Sequence, residues 1–187
     1  YGVKCQMRII PTGIDVGMYA KTVDDDIRAK YGIAQDAPLM LSISRLAYEK
    51  NITEIIKLLP EIVRQVPTVK LMIVGDGPAK EDLEQQVVDL KLEAHVIFTG
   101  EISNDHVNAF YQAANVFVST SESESQGLTY IEAMAAGLPV VVTASDYTDG
   151  LLSSVTLGRT FTQPAEFVNI VTEYLEHPVD THNSKAK

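Results

Sequence analysis

Residues 115–143 are the stretch that most constrains how this chain can fold. Asn115 to Ser119 form a short apolar run, which predicts a buried strand. Thr120 to Gln126 are polar and lack a hydrophobic anchor, so they predict a loop. From Gly127 onward apolar residues recur at helical spacing, and after a helix cap at Gly137 three valines predict a second buried strand. The loop of this strand–helix–strand unit lies where open parallel sheets bind ligands, at the carboxyl ends of the strands.

Two carboxylates of this unit, Glu124 and Glu132, are eight positions apart. On one continuous helix they would be about 80° out of line, because each residue turns about 100°. They can border one pocket if Glu124 lies in the loop and Glu132 one and a half turns into the helix. The free amides near Gly127 and Leu128 would then form an anion site at the helix N-terminus. This arrangement suits a nucleotide sugar, although the spacing alone also fits a solvated acidic loop before an ordinary helix.

The string ESQGLTYIEAMAAGLPVVV, with Glu124 and Glu132, resembles the signature of retaining glycosyltransferases of family 4, or group 1, which have the GT-B fold. In that family the first glutamate holds hydroxyl groups of the donor sugar, and the second holds the ribose hydroxyls. The resemblance implies these roles here, with donor contacts also from Gln126, Gly127 and Leu128. Many relatives have Pro-Phe or Gly-Phe where this chain has Ser125-Gln126, which leaves the donor hexose open.

Two cations follow the first predicted buried strand, Leu39 to Ile43. Arg45 and Lys50 lie in the loop SRLAYEKN, before an amphipathic helix predicted over Asn51 to Val66. The loop resembles the R-L-x-x-x-K element of the same family, whose arginine and lysine neutralise the donor diphosphate. Fixed cations there would stabilise a leaving diphosphate, which gains charge as the glycosidic bond breaks. Taken without the resemblance, the two side chains could equally be solvated surface charges.

Two more loops are predicted at the same edge of the sheet. The strand Val69 to Val74 ends at a Gly-Asp-Gly-Pro turn, with Gly75 and Gly77, that resembles the family's G-x-G-x loop. The turn lacks the GxGxxG spacing of a dinucleotide fingerprint, which counts against an NAD enzyme. After a strand predicted over His95 to Phe98, the resemblance places the nucleotide base against Phe98, Thr99, Gly100 and Glu101. The Phe98 side chain itself is expected in the core, so that the backbone makes the base contacts.

The remaining sequence predicts further helices and no metal site. The predicted helices span Thr22 to Lys30, Ala79 to Leu90, Asn104 to Ala113 and about Pro164 to Glu176, with a turn at DYTDG and a short strand near Val155. The aspartates 24–26 could suggest a metal-binding Asp-x-Asp motif, but at a helix start they complement the helix dipole. The four histidines, His95, His106, His177 and His182, have no paired metal spacing.

The series of five or six strand–helix units predicts an α/β fold with a doubly wound parallel sheet, Rossmann-like, as in the C-terminal half of a GT-B fold. We predict an inter-domain linker and leading strand over residues 1–21, a nucleotide-sugar-binding domain over 22–178 and a tail over 179–187. The Pro-Thr-Gly-Ile-Asp segment starting at Pro11 resembles the family's inter-domain hinge. The chain starts without methionine, so we expect it to be a piece of a longer protein.

Composition narrows the function classes. The 187 residues are 45% hydrophobic, enough for one core, and the net charge of −10 argues against nucleic-acid binding through a broad basic surface. The single cysteine, Cys5, excludes an internal disulfide framework and fits a reducing compartment. No apolar run approaches the roughly 20 residues that span a bilayer. We therefore expect a cytoplasmic location, and the resemblance implies a place at the inner face of the plasma membrane through an N-terminal domain of the whole protein.

The resemblance implies transfer of a hexose from a nucleotide diphosphate sugar, with retention and without metal or cofactor. The motifs are most similar to those of bacterial UDP-glucose-dependent enzymes that glucosylate diacylglycerol in glycolipid synthesis. The implied partners are UDP-glucose, an N-terminal acceptor domain of the same protein and a membrane lipid acceptor, and this chain alone is expected to be inactive. The alternatives are a non-catalytic nucleotide-binding module, or half of a sugar-nucleotide epimerase or phosphorylase with the same architecture.

Overall fold

A parallel sheet of six strands organises the part of the chain that the structure describes. A computed structural model describes residues 13–121, 124, 127–152 and 157–179. The strands lie side by side in the order β3-β2-β1-β4-β5-β6, and all neighbours pair in parallel. Their bounds are β1 Leu39–Ile43, β2 Lys70–Val74, β3 Val96–Gly100, β4 Val116–Ser119, β5 Val140–Thr143 and β6 Gly158–Phe161. The doubly wound parallel sheet predicted from the sequence is confirmed.

Helices cover both faces of this sheet and enclose two hydrophobic clusters. The helices are α1 Val16–Tyr19, α2 Ile27–Lys30, α3 Ile52–Gln65, α4 Lys80–Asp89, α5 Asn104–Ala113, α6 Leu128–Ala135, α7 Asp146–Leu152 and α8 Pro164–Glu176. The first cluster packs α3, α4 and α8 on one face, and the second packs α1, α2, α5, α6 and α7 on the other. Because strand residues alternate between faces, Met40 joins the first cluster while Leu39 and Leu41 join the second. Burial on both faces of the sheet explains why the strands are continuous apolar runs in the sequence.

The direction in which successive strands are added to the sheet reverses between β1 and β4. From β1 the chain winds outward through β2 to β3, and β4 then returns to pair with the other side of β1. In this pairing Met40 lies opposite Val116, and Leu41 lies opposite Phe117. Loops leaving the carboxyl ends of β1 and β4 therefore separate and leave a crevice, which is where open α/β sheets bind ligands.

The ends of α6 position the polar loop and the following strand. Gly127 caps the N-terminus with a φ of 49°, in the left-handed region that glycine adopts most easily. At the other end the Gly137 N–H donates to the Met134 carbonyl at 3.0 Å, and the Leu138 N–H donates to the Ala133 carbonyl at 2.9 Å. This pair of bonds is a Schellman cap, which Gly137 accommodates with a φ of 87°. The glycine cap expected from the sequence thus turns the chain directly into β5.

Two sequence-based element assignments are wrong. The helix expected over Thr22 to Lys30 begins only at Ile27, because the Asp26 carboxylate caps it by accepting the Ala29 N–H at 3.0 Å. Its acidic residues therefore precede the helix and do not occupy the first turn.

The DYTDG segment, expected to be a turn, is the start of α7. The Ser145 hydroxyl accepts the Thr148 N–H at 3.1 Å, and the Thr148 hydroxyl accepts the Ser145 N–H at 2.8 Å. This reciprocal pair satisfies two amides of the first turn and outweighs the turn tendency of Asp and Gly. Among the described residues the last strand is β6, while Val155, where a strand was expected, is not one of them.

The segment before β1 is tied to α5 by two amide side chains. Asn108 donates to the carbonyls of Met18 at 3.0 Å and Lys21 at 3.1 Å, and Gln112 donates to the Lys21 carbonyl at 2.5 Å. The part of the predicted linker that is described, residues 13–21, thus packs against the domain. The expected leading strand 7–10, Pro11 and residues 180–187 lie outside the described residues, and the domain boundaries stay a prediction.

Candidate functional site

A pocket of about 320 Å³ occupies the crevice between the loops that follow β1 and β4. We call it the switch-point pocket. Its size suits a small-molecule ligand. It gathers five residues that the sequence proposed for donor binding, namely Arg45, Lys50, Glu124, Gly127 and Leu128. Ile43, Ser44 and Thr129 complete the lining.

An ion pair between the two loops closes one side of this pocket. Lys50 Nζ lies 2.5 Å from Glu124 Oε1, and the two side chains are only 23% and 18% exposed. A second link lies beside it, because the Thr120 hydroxyl donates to the Asn51 carbonyl at 2.7 Å. Asn51 has a left-handed φ of 50°, which lets the loop turn sharply after Lys50. The loops of β1 and β4 are therefore fastened to each other at the mouth of the pocket.

Arg45 combines a fixed backbone with a loosely held guanidinium group. Next to it, the Leu46 N–H donates to the Asp76 carbonyl, and the Ala79 N–H donates to the Leu46 carbonyl, both at 2.9 Å. The Arg45 side chain is 70% exposed and contacts Glu49 at 3.3 Å. Such an exposed pair contributes little to stability. The guanidinium group is thus available to a ligand at small cost.

Two aromatic rings pack around Gly127 at the N-terminus of α6. A Cβ atom at this position would lie 2.9 Å from Tyr130 Cδ2 and 3.0 Å from Tyr147 Cε1, so only glycine fits. The Tyr130 hydroxyl lies 2.9 Å from the Ser119 hydroxyl. Burial, followed by the charge of Glu124, raises the pKa of Tyr147, and burial is also the main cause of the raised pKa of Tyr130. Both phenols therefore stay neutral at physiological pH and keep a proton to donate.

Gly75 and Gly77 allow the loops after β1 and β2 to touch. A Cβ on Gly75 would lie 1.9 Å from the Ser44 carbonyl oxygen, and one on Gly77 would lie 2.5 Å from the Leu46 carbonyl oxygen. Neither glycine lines the switch-point pocket. Their visible role is to hold the loop that carries Arg45, while direct donor binding by these two residues stays a prediction.

The residues proposed for the nucleotide base lie at the end of β3, two strands away from β1. Thr99 and Gly100 belong to that strand, although the sequence placed them in a loop. Phe98 packs against the first hydrophobic cluster, as expected for its side chain. The Thr99 hydroxyl donates to the Gly100 carbonyl at 2.9 Å. Phe98, Thr99 and Gly100 do not line the switch-point pocket, so their contact with the base stays a prediction. Gln126 lies outside the described residues, and its donor contact stays a prediction too.

Glu132 lies one helical turn below the pocket and does not line it. The Tyr111 hydroxyl donates to Glu132 Oε2 at 2.8 Å. Glu132 and Leu128 are four residues apart and therefore share a face of α6. The predicted role of Glu132 at ribose remains a prediction, and the structure adds an interior partner that the sequence did not indicate.

Three tyrosines near the two glutamates were missed by the sequence reasoning. Tyr147 follows β5, the strand beside β4, and the rule that ligands bind at the carboxyl ends of parallel strands could have indicated it. Tyr19 and Tyr111 come from α1 and α5, and no local motif links either of them to Glu132. Only the packing of α1 and α5 around α6 brings these rings to the carboxylate.

Other features of the described residues fit a ligand site less well. A larger cavity, of about 510 Å³, lies against the edge strand β6 and α8. Its carboxylate, Glu166, already accepts the N–H groups of Thr162 at 2.8 Å and Gln163 at 3.0 Å. Within the described ranges no group of three or more His, Cys, Asp or Glu side chains could hold a metal ion, and no helix is long and apolar enough to cross a membrane.

The fold and the pocket define a class: a parallel α/β domain with an anion-suited crevice at its switch point. Residues 23–185 match the family described as "Glycosyl transferases group 1". The chain belongs to this family, which confirms the resemblance seen in the motifs. The six-stranded sheet matches GT-B glycosyltransferases such as WaaG, "a glycosyltransferase involved in lipopolysaccharide biosynthesis", with a TM-score of 0.77 at 23% identity over 91% of this chain and 47% of that one.

Two further relatives carry ligand or substrate names. The chain is 35% identical over 180 residues to an alpha-monoglucosyldiacylglycerol synthase of Streptococcus pneumoniae, covering 94% of this chain and 41% of that protein. It also resembles Anabaena HepE, whose crystal structure is in complex with UDP-glucose, with a TM-score of 0.72 and 26% identity over 88% of this chain and 46% of that chain. The chain thus spans less than half the length of the relatives it matches.

We predict that Gly75→Ala destabilises the fold far more than Gly100→Ala. Gly100 has a φ of 76° and no atom within 4 Å of the place where an alanine methyl group would lie, so alanine there carries only the backbone cost, about 1 kcal/mol. Gly75 has a φ of 134° and would also clash with the Ser44 carbonyl, which should cost about 3 kcal/mol. Urea unfolding of both variants measures the difference. Equal losses would show that the two loops are not in contact.

Proposed function

We propose that this chain is the donor-binding half of a glycosyltransferase and holds a nucleotide diphosphate sugar in the switch-point pocket. The observation that carries the proposal is the Lys50–Glu124 pair beside the open N-terminus of α6, at the point where the sheet reverses direction. A cation for phosphate and a carboxylate for sugar hydroxyls are thus held side by side. A sugar phosphate uses both groups at once.

The diphosphate would be held by the N-terminal amides of α6 and two nearby cations rather than by a broad basic surface. Within the described part of the chain, the amides of Leu128 and Thr129 have no acceptor, since the bonds of the first turn begin with the N–H of Tyr130 to Gly127. These amides carry the positive end of the α6 dipole. Arg45 adds a formal positive charge at the same end, and Lys50 adds a second once its ammonium group shifts from Glu124 toward the phosphate. Together they supply the potential that a metal ion provides in other phosphate sites.

Lys50 and Glu124 would each contact a different half of the donor. A bound diphosphate offers Lys50 a stronger anion than one carboxylate, so the ammonium group can shift toward phosphate. Glu124 then has an oxygen free to accept hydrogen bonds from the sugar. As the glycosidic bond breaks, charge grows on the leaving diphosphate, and the same cations stabilise that charge.

The names of the relatives support a proposal for the donor and the acceptor. We propose UDP-glucose as donor, because the HepE structure carries that ligand in its complex. We propose diacylglycerol as acceptor, because the Streptococcus pneumoniae relative is named for its glucosylated product. Retention at the anomeric carbon and independence from metal are part of the proposal, as is work at the inner face of the plasma membrane. The acceptor would be held chiefly by a partner domain of the whole protein.

The proposal predicts that the chain binds UDP in the presence of EDTA. Arg45, Lys50 and the α6 amides supply the positive potential, so no divalent ion is needed. Isothermal titration calorimetry of UDP with EDTA, repeated with magnesium, measures this. Lys50→Met should weaken binding at least tenfold, whereas Lys57→Met, at an exposed lysine of α3, should not change it. Binding that requires magnesium or manganese would contradict the proposal, as would equal effects of the two lysine variants.

A further prediction separates the two glutamates by the ratio of UDP-glucose affinity to UDP affinity. Glu124→Gln should lower this ratio about tenfold, because it weakens a charge-assisted bond to the sugar, worth about 1.5–3 kcal/mol. UDP alone should bind this variant at least as well as the parent, since Lys50 loses its competing partner. Glu132→Ala should weaken both ligands by one factor and leave the ratio unchanged.

The same titrations test the assignment of each carboxylate. If Glu124→Gln weakens UDP as much as UDP-glucose, Glu124 does not contact the sugar. If Glu132→Ala changes the ratio, Glu132 does not act at the nucleotide.

A further inference from the structure

Glu132 is held from the protein interior by a tyrosine that no motif indicates. Tyr111, on α5, is only 1% exposed, and its hydroxyl donates to Glu132 Oε2 at 2.8 Å. Burial, followed by the charge of Glu132, raises the pKa of Tyr111 well above its usual range. The phenol therefore keeps its proton and acts as a permanent donor to the carboxylate.

A second tyrosine stands beside the first. The ring of Tyr19, on α1, lies 6.0 Å from the ring of Tyr111 in an edge-to-face arrangement, with an angle of 68° between the planes. Burial, followed by the charge of Glu132 and a hydrogen bond to that carboxylate, raises the pKa of Tyr19 to about 12. Two neutral, nearly buried phenols thus face one carboxylate.

The frame behind these phenols is anchored by hydrogen bonds. Asn108 and Gln112, from the same helix as Tyr111, bind carbonyl groups of the segment that carries Tyr19. Asn108 is 5% exposed, so its bonds are protected from water. Tyr19 and Tyr111 are therefore held in one rigid unit, and Glu132 rests against it.

The position of Glu132 leaves acceptor capacity available toward the pocket. It lies one turn below Leu128, on the same face of α6, and side chains of a helix lean toward its N-terminus. That terminus is the wall of the switch-point pocket. An ionised carboxylate has about four acceptor positions, and the Tyr111 hydroxyl uses one of them. The remaining positions can accept hydrogen bonds from a ligand.

We propose that Tyr111, supported by Tyr19, is a positioning residue that fixes Glu132 so that its remaining acceptor positions are presented to the ribose hydroxyls of the donor nucleotide. This inference rests on the proposed function, since it deepens the role of the same site. A glutamate that is already fixed loses less side-chain freedom when the nucleotide binds. Tyr111 acts through Glu132 and does not touch the nucleotide.

The test is a cycle in which the protein loses one hydroxyl group and the nucleotide loses both ribose hydroxyl groups. UDP and 2′,3′-dideoxyuridine diphosphate are titrated into the parent chain, Tyr111→Phe and the control Tyr174→Phe. Tyr174 is a buried tyrosine in the other hydrophobic cluster, away from Glu132. We expect Tyr111→Phe to weaken UDP about tenfold and the dideoxy nucleotide less than twofold. Tyr174→Phe should change neither.

A merely structural role of Tyr111 gives a different pattern. Tyr111→Phe would then weaken both nucleotides by the same factor, and this result would overturn the inference. Thermal unfolding of each variant shows whether the fold is retained, and Tyr19→Phe repeats the cycle with a milder change if Tyr111→Phe is unstable.

The double variant Tyr111→Phe with Glu132→Ala supplies an independent readout. If Tyr111 acts through Glu132, adding Tyr111→Phe to Glu132→Ala weakens UDP no further. Additive losses would contradict the inference. Failure of the parent chain to bind UDP would refute the proposed function itself, whereas UDP binding without discrimination between the two nucleotides would refute only the ribose role of Glu132 and Tyr111.

Discussion

The contact between Lys50 and Glu124 is the interaction on which the functional region depends. Two opposite charges, each about four-fifths withdrawn from water, are placed 2.5 Å apart by loops that leave adjacent strands. Removing either partner would leave a largely buried charge without compensation, which is costly. A ligand with both phosphate and hydroxyl groups can replace the pair without leaving either charge unsatisfied. In the proposed function, the pair therefore also indicates the kind of ligand that the pocket accepts.

The sheet order explains why such a pair can exist. Because β1 and β4 are neighbours although residues 44–115 separate them in sequence, loops from distant parts of the chain share one edge. Glycines then set the spacing of these loops. Gly75 and Gly77 bring the β2 loop against the β1 loop, and Gly127 lets two tyrosines close on the start of α6. Arg45, Lys50 and Glu124 thus lie on loops, and the rigid sheet fixes the distances between these loops.

Much of this arrangement could be predicted from local sequence, and the rest could not for a physical reason. Continuous apolar runs located the strands, and the bounds of β1, α5 and α8 agree with the predicted ones. The convergence of Arg45, Lys50 and Glu124 followed from the rule for parallel strand ends. The predicted start of α2 and the turn predicted at DYTDG were wrong, because single side-chain caps decide where these helices begin. The partnership of Tyr111 with Glu132 depends on helix packing, which no local pattern encodes.

The most direct test of the account is a titration of the ¹⁵N-labelled chain with UDP-glucose, followed by amide chemical shifts. We predict that the largest changes occur at Arg45, Lys50, Gly127 and Leu128, on the two loops of the switch-point pocket. Amides that line the cavity at β6 and α8, such as Glu166, should stay unchanged. Largest shifts at that cavity, with the switch-point amides unmoved, would contradict the claim that the donor binds where the sheet reverses direction.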